Sequence, residues 1–279
     1  VAGQMDIDGT ELAPIDPDQV RRVARELGVH GHVTAFAVAG FAGHVNPAHE
    51  LAVKDIIRAE TGLPVTCGYE ITEGANYRIR AETAALNARI MPYLDLLISQ
   101  VQHGLMERGI RAPVMVVRSD GSLVSLKVAR EQPILTLLSG PAASVAGARH
   151  LAGCRDAVVI DIGGTTTDMA IVTGGEVPVC AEGAIVGKWQ THVAALDMRT
   201  VGLGGDSRIQ LERGHVQIGP QRVAPIGWLI HRYPAAVDAI RWVELNMRSF
   251  DVTTGGAEIL VGLGVDRPGD LMEPERSVL

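Results

Sequence analysis

VVIDIGGTTTDMAIVTGG, running from Val158 to Gly175, is the stretch on which the reading of this chain turns. The segment before the glycine pair, AVVIDI from Ala157, is apolar except for Asp161, as expected of a central strand buried on both faces. After Gly163-Gly164 the chain continues TTTDMAIV, β-branched and apolar, which predicts a second strand. That continuation excludes two familiar phosphate loops. A dinucleotide fingerprint or a P-loop opens onto a helix, whose N-terminus supplies a favourable field for the anion. The Gly-Lys pair in GAIVGKW, from Gly183, does not restore a P-loop, because its spacing is one residue short and Trp189 replaces the hydroxyl residue.

A strand–glycine–strand arrangement can still bind phosphate. Two glycines let the backbone approach an anion with no Cβ in the way, and the successive amides of Gly163, Gly164 and Thr165 can point at its oxygens. Thr165 and Thr166 add hydroxyl donors, and Asp161 at the strand end can reach a metal or its bound water beside the phosphates. Taken alone, the stretch fits an ordinary glycine hairpin equally well.

The chain has 279 residues, 47% of them hydrophobic and only 4% aromatic, so its cores are built from Val, Ile, Leu and Ala. Thirty-two glycines among many β-branched residues favour an α/β architecture. A formal net charge of -7, with the Lys and Arg residues scattered, argues against nucleic acid or an anionic membrane as partner. The longest apolar run, VTAFAVAGFAG from Val33, is too short to span a bilayer. Cys67, Cys154 and Cys180 lie far apart without a Cys-x-x-Cys pair, which suits a reducing, cytoplasmic setting. The opening VAGQMDIDGTEL, with no initiator methionine, reads as part of something longer.

Asp16-Pro17 predicts a helix over DQVRRVAREL stopping at Gly28, followed by a strand at Val33–Val38. Asn46-Pro47 starts a second helix that ends at Gly62, with short strands expected at PVTC and YEI. A long helix over AETAALNARIMPYLDLLISQVQHGLMERG is expected to bend at Pro92 and end at Gly109. PVMVVRSDGSLVS reads as strand, turn, strand, and PILTLLSGPAASVAGARHLAG as a strand entering a helix near Gly140-Pro141. A last helix is expected in PAAVDAIRWVELNMRSF. GGAEILVGLG from Gly255 is a weak candidate for a purine-binding turn.

His30, His32, His44 and His49 cluster around the first strand, but no third ligand has metal-site spacing, so capping and surface roles are favoured. His192 and Asp197, between the glycine motifs, read as structural. No Gly-x-Ser-x-Gly elbow or Cys/His signature offers a nucleophile, and Ser139 reads as a cap or turn hydroxyl.

The order of motifs around the opening stretch adds more. Upstream lies SGPAASVAGARHL and downstream TVGLGGDSRI, a glycine pair followed by an acid and a hydroxyl. This order resembles the second half of the actin-like ATPase core. The wording of TLLSGPAASVAGA, VVIDIGGTTTDMAIV, HVNPAHELAVKDII, RIRAETAALNARIMPYL and PVMVVRSDGSLVS resembles the hydantoinase A/oxoprolinase family over roughly residues 10 to 215. The resemblance implies an α/β fold of the actin-like ATPase (ribonuclease H-like) type, a mixed sheet with flanking helices. Residues 1–111 would form the C-terminal part of the first subdomain and 112–279 the second. It implies ATP with Mg²⁺ or another divalent metal, and phosphorylation of the carbonyl of a cyclic amide or imide. Gly163, Gly164, Thr165 and Thr166 would hold phosphate oxygens, Asp161 and Asp168 would orient the metal, and Gly204, Gly205, Asp206 and Ser207 would close the far wall. Expected partners are a cyclic amide substrate, a second subunit of the hydantoinase B type and further copies in an oligomer. The family's first Asp-x-Gly-Gly-Thr hairpin is not found in this sequence, so the chain is expected to supply half of a nucleotide site. A related ATP-dependent carboxylase, a non-catalytic actin-like scaffold and a kinase of the superfamily are the alternatives.

Overall fold

In the computed structural model, which describes residues 1–30, 33–180, 182–212, 214–234 and 236–246, a small hairpin of β1 (Gln4–Met5) and β2 (Glu11–Ala13) leads into α1 (Pro17–His30). Asp16 caps that helix: its carboxylate accepts from the amides of Asp18 and Gln19, each at 3.0 Å, donors the first turn would otherwise leave open. Contrary to expectation, α1 does not stop at Gly28. That glycine has an ordinary φ, and its bare face gives room for Thr61, whose Cγ2 would lie 3.2 Å from an added Cβ. Gly28 thus serves close helix packing.

β3 (Phe36–Val38), shorter than the expected 33–38, is followed by α2 (Ala48–Thr61) and β4 (Val65–Cys67). The strands pair in parallel with α2 as the crossover. Asn46 accepts from Ala48 N at 3.0 Å, and Gly62 ends α2 at φ 67°. Val20, Ala24, Val53, Ile57 and Val65 form the core between α1, α2 and the sheet. Tyr69-Glu70-Ile71, expected as a strand, is instead the helical turn α3 (Gly68–Ile71). The cause is Glu70, whose carboxylate turns back to accept from Cys67 N at 3.0 Å and closes a capping box.

The long helix exists as α4 (Tyr77–Glu107), 31 residues running through Pro92, with Gly109 at φ 71° just beyond it. β5 (Met115–Val117) and β6 (Leu123–Ser125) form the expected hairpin, its turn closed by Asp120 accepting from Ser122 N at 2.9 Å. α5 (Leu126–Glu131) follows. PILT, expected as a strand, is a 3₁₀ turn (Pro133–Thr136), because the amide of Ile134 is taken by Asn87 of α4 at 3.0 Å and not by a ladder partner. α6 (Ser139–Ala152) starts at Ser139, after Leu138 at φ 62°; Ser139 is its first residue and does not cap it.

The opening stretch is the hairpin that its residues predict, β7 (Ala157–Ile162) and β8 (Thr167–Val172). The segment after it carries the short strands β9 (Val179–Cys180), β10 (Ile185–Val186), β11 (Trp189–Gln190) and β12 (Ala195–Leu196). β13 (Met198–Val201) joins the hairpin as a three-stranded sheet, ordered β13-β8-β7. β14 (Ser207–Glu212) and β15 (His215–Arg222) pair antiparallel, and α7 (Ile226–Arg232) and α8 (Ala236–Asn246) follow. The turn at Gly255 lies outside the described residues.

β7 is not the doubly buried central strand its composition suggests. It is an edge strand, and Val158, Ile160 and Ile162 on one face are 57–68% exposed. An apolar run marks a strand that can be covered on both faces, and among the described residues only one face is.

The chain divides into two compact units, Val1–Asp156 with Val172–Asp197, and Ala157–Ile171 with the residues from Met198 onward. The first unit is organised around a fully buried arginine. Arg80 Nη2 donates to the carbonyls of Gly40 and Phe41, both at 2.7 Å, and Nη1 to Gly74 O at 2.8 Å and Ala75 O at 3.4 Å. Glu50, 1% exposed, holds the other side of the same loop by accepting from Gly40 N at 2.7 Å and Tyr69 N at 3.0 Å. Burial pushes the Arg80 guanidinium below its ordinary value, and nearby Glu50 opposes the shift.

Candidate functional site

The glycine pair at 163–164 is built by two turns that grip each other. Gly163 N donates to Thr166 O at 2.9 Å, closing the β7–β8 connection. A four-residue connection permits only an antiparallel pair, so counting outward from Gly163 and Thr166 sets Asp161 opposite Asp168. On the next strand Thr200 stands opposite Asp168, and its hydroxyl donates to that carboxylate. Asp161, Asp168 and Thr200 thus form one row across the sheet. Two carboxylates directly opposite repel, and a cation between them relieves the repulsion.

The second turn, Leu203 to Ser207, packs onto the first. Thr167 donates through its hydroxyl to Leu203 O at 2.7 Å. Gly205 N donates to Gly163 O at 2.9 Å and Asp206 N to Gly164 O at 2.8 Å. Ser207 closes its own turn, its hydroxyl accepting from Gly204 N at 2.9 Å. Gly204 is demanded by this contact, since a Cβ there would lie 2.5 Å from the carbonyl carbon and oxygen of Gly164.

This arrangement sorts the residues expected at the site. The amide of Gly163, expected to point at phosphate, is instead spent on Thr166 O at 2.9 Å in closing the hairpin, and the amides of Gly205, Asp206 and Ser207 are committed to Gly163, Gly164 and Gly204. Among the described residues, the amides of Gly164, Thr165 and Thr166 carry no hydrogen bond, and Gly164 and Thr165 are exposed. With the two threonine hydroxyls they are the donors that this loop leaves free for an anion. A phosphoryl group therefore fits the loop. A divalent cation fits the row beside it as one held by one or two carboxylates plus phosphate and water, the usual Mg²⁺ arrangement. No group of three His, Cys, Asp or Glu among the described residues could hold a metal by itself.

Sequence reasoning missed Arg222. It donates to Asp206 Oδ2 at 2.7 Å from sixteen residues away, a pairing set by the β14–β15 register and carried by no local pattern. Of the histidines, His32 and the side chain of His30 lie outside the described residues, and His44 Nδ1 lies 3.5 Å from Arg80 Nη1. His49 lines a cavity of about 710 Å³ between α1, α2 and β3, with Nε2 3.6 Å from Glu11. Asp197 is exposed.

His192 packs over Gly74 with its Nδ1 buried and without a hydrogen-bond partner. Burial, helped by the Arg80 charge, lowers its pKa from the ordinary 6.5. Between 6.5 and that lower value the unfolded chain binds a proton that the folded chain refuses, so stability falls as pH falls through the window. Replacing His192 with glutamine should flatten this acid slope. Urea midpoints at about pH 7.5 and 5.5 read the effect, and an unchanged slope in the variant would assign the acid sensitivity elsewhere.

The hydantoinase/oxoprolinase family model matches residues 80–226, and the model of that family's N-terminal region matches residues 1–61. The chain belongs to the hydantoinase/oxoprolinase family. The gamma subunit of acetophenone carboxylase from Aromatoleum aromaticum is 26% identical over 232 residues, 79% of this chain and 31% of that protein. The ATP-dependent caprolactamase from Pseudomonas jessenii superposes with a TM-score of 0.67 at 26% identity, over 79% of this chain and 32% of that one. Nucleotide-free acetone carboxylase gives 0.65 at 26% identity, over 80% and 32%. The chain therefore spans about a third of the length of these relatives, and its fold is the actin-like ATPase type of this family, with parallel and antiparallel pairings flanked by helices. No helix among the described residues is long and apolar enough to cross a membrane.

Proposed function

We propose that this chain supplies half of a nucleotide site in an ATP-dependent enzyme that activates a carbonyl group, with a cyclic amide or imide as substrate. The observation that carries the reading is the set of free amides at Gly164, Thr165 and Thr166 beside the facing carboxylates Asp161 and Asp168. A lactam carbonyl is a poor electrophile because its nitrogen donates into it. ATP bound at the loop would supply the phosphoryl group that makes the carbonyl carbon open to water. The chain's own residues have to position and neutralise: the amides and Thr165 and Thr166 hold phosphoryl oxygens, Asp161 and Asp168 hold the divalent metal, and Gly204, Gly205, Asp206 and Ser207 fix the loop from behind. Residues 1–111 would belong to the first subdomain of the core and 112–279 to the second. A partner subunit of the hydantoinase B type, assembly into an oligomer and a cytoplasmic setting complete the reading.

Asp161→Asn in the full-length protein should abolish ATP turnover while the melting temperature stays near that of the parent. Near-normal turnover in this variant would remove the phosphate assignment. Carboxylation of a ketone is the second reading, favoured by the two carboxylases among the similar proteins. Parallel assays with a lactam series and with acetone plus bicarbonate separate the two, because ATP consumption should rise with only one class of substrate.

A further inference from the structure

The ion pair between Asp206 and Arg222 stands beside the 163–166 loop. Asp206 is pinned by main chain on both sides: its amide donates to Gly164 O at 2.8 Å, and its carbonyl accepts from Val223 N at 2.8 Å. This places its carboxylate against the phosphate loop, with Oδ2 3.0 Å from where a Cβ on Gly164 would stand. The same backbone bond fixes Arg222, the neighbour of Val223, one carboxylate away from the loop. Arg222 is 57% exposed and bonds Asp206 through one nitrogen, Nη2, at 2.7 Å. Among the described residues its Nη1 and Nε make no bond and remain free for a second acceptor. No other cationic side chain is bonded to the loop or its supporting turn among the described residues.

We infer that Arg222 is a phosphate-contacting residue of this site, held in reserve on Asp206 and released to the anion when a metal-bound phosphoryl group arrives. The inference rests on the reading above that the 163–166 loop takes a phosphoryl group. Asp161, Asp168 and Asp206 are all carboxylates of this unit, so a bare phosphate meets repulsion that a lone guanidinium, already paired, offsets poorly. A divalent cation changes this. Asp206 can pass from Arg222 to the cation, directly or through water, while the planar guanidinium turns its fork to the phosphoryl oxygens. Two oppositely charged pairs exchange partners and no charge is left unpaired. The arrangement therefore selects the metal complex of a phosphate over the free anion. Because the resting pair is mostly solvent-exposed on the Arg222 side, it contributes little to folding and can be broken readily.

Calorimetric titration of the full-length protein with Mg·ATP, and separately with inorganic phosphate without metal, tests the inference. Arg222→Ala should weaken Mg·ATP binding by about tenfold or more, as expected for a lost charged hydrogen bond, and Arg222→Lys should recover only part of it. Asp206→Asn frees the guanidinium, so it should tighten metal-free phosphate binding several-fold and reduce the dependence of ATP binding on Mg²⁺. Melting curves identify any variant that binds poorly because it is unfolded; Arg222→Gln, which keeps the bulk of the side chain, then takes the place of the alanine variant. Wild-type binding of Mg·ATP with no change in the folded Arg222 variants would overturn the inference and leave the loop reading standing. Absence of Mg·ATP binding in the wild-type protein would overturn both.

Discussion

Replacing Arg80 with leucine is expected to destabilise the first unit by about 3–5 kcal/mol, the usual consequence of removing one side of a buried charged arrangement. The guanidinium serves the carbonyls of Gly40, Phe41, Gly74 and Ala75 from a fully buried position. Leucine leaves those acceptors without their donor and Glu50 without its nearby positive charge. Lysine is no remedy, because one ammonium on a flexible stem cannot reach two separated loops at once. Urea unfolding of both variants measures the effect. A loss below about 1 kcal/mol for leucine would mean that water replaces the guanidinium, and the clamp would then be dispensable.

Gly204→Val is the second large effect. The atoms that a side chain would meet are Gly164 C and O at 2.5 Å and Gly163 O at 2.7 Å, all backbone, so no rotamer change makes room. The second turn must lift off the first, breaking the bonds from Gly205 and Asp206 to Gly163 and Gly164. We expect a loss of about 3 kcal/mol or more in the second unit, together with loss of Mg·ATP binding. Amide hydrogen exchange gives the local readout: Gly205 and Asp206 should lose protection while β3 and β4 keep theirs. Retained protection would show that the turns accommodate a side chain.

The parts of this protein that the sequence made legible are those set by neighbours in the chain. Asp16 caps α1, and Asn46 bonds the first amide of α2, because a short polar side chain reaches the amide two or three residues on. The strand character of TTTDMAIV was legible for the same reason, since β-branched residues fit a pleated surface. What could not be read depends on distant partners. PILT has the composition of a strand, but Asn87, 47 residues earlier, takes the amide of Ile134 and holds a 3₁₀ turn. Glu70 makes YEI helical by bonding back to Cys67, a capping box with cysteine where serine or threonine is usual. At the candidate site the glycine pair and Asp161 stood out locally. The commitment of the Gly205 and Asp206 amides, and the arrival of Arg222, follow only from how two turns and a hairpin pack.

That packing also bears on rates. The carbonyls of Gly163 and Gly164 are already taken by the second turn, so the peptide planes of the loop are fixed with their free N–H groups outward before any ligand is present. A ligand arriving there has no disordered segment to organise, and little conformational entropy is lost on binding. Association should therefore proceed in one phase without a slow rearrangement, and differences in affinity among anions should appear mainly as differences in residence time.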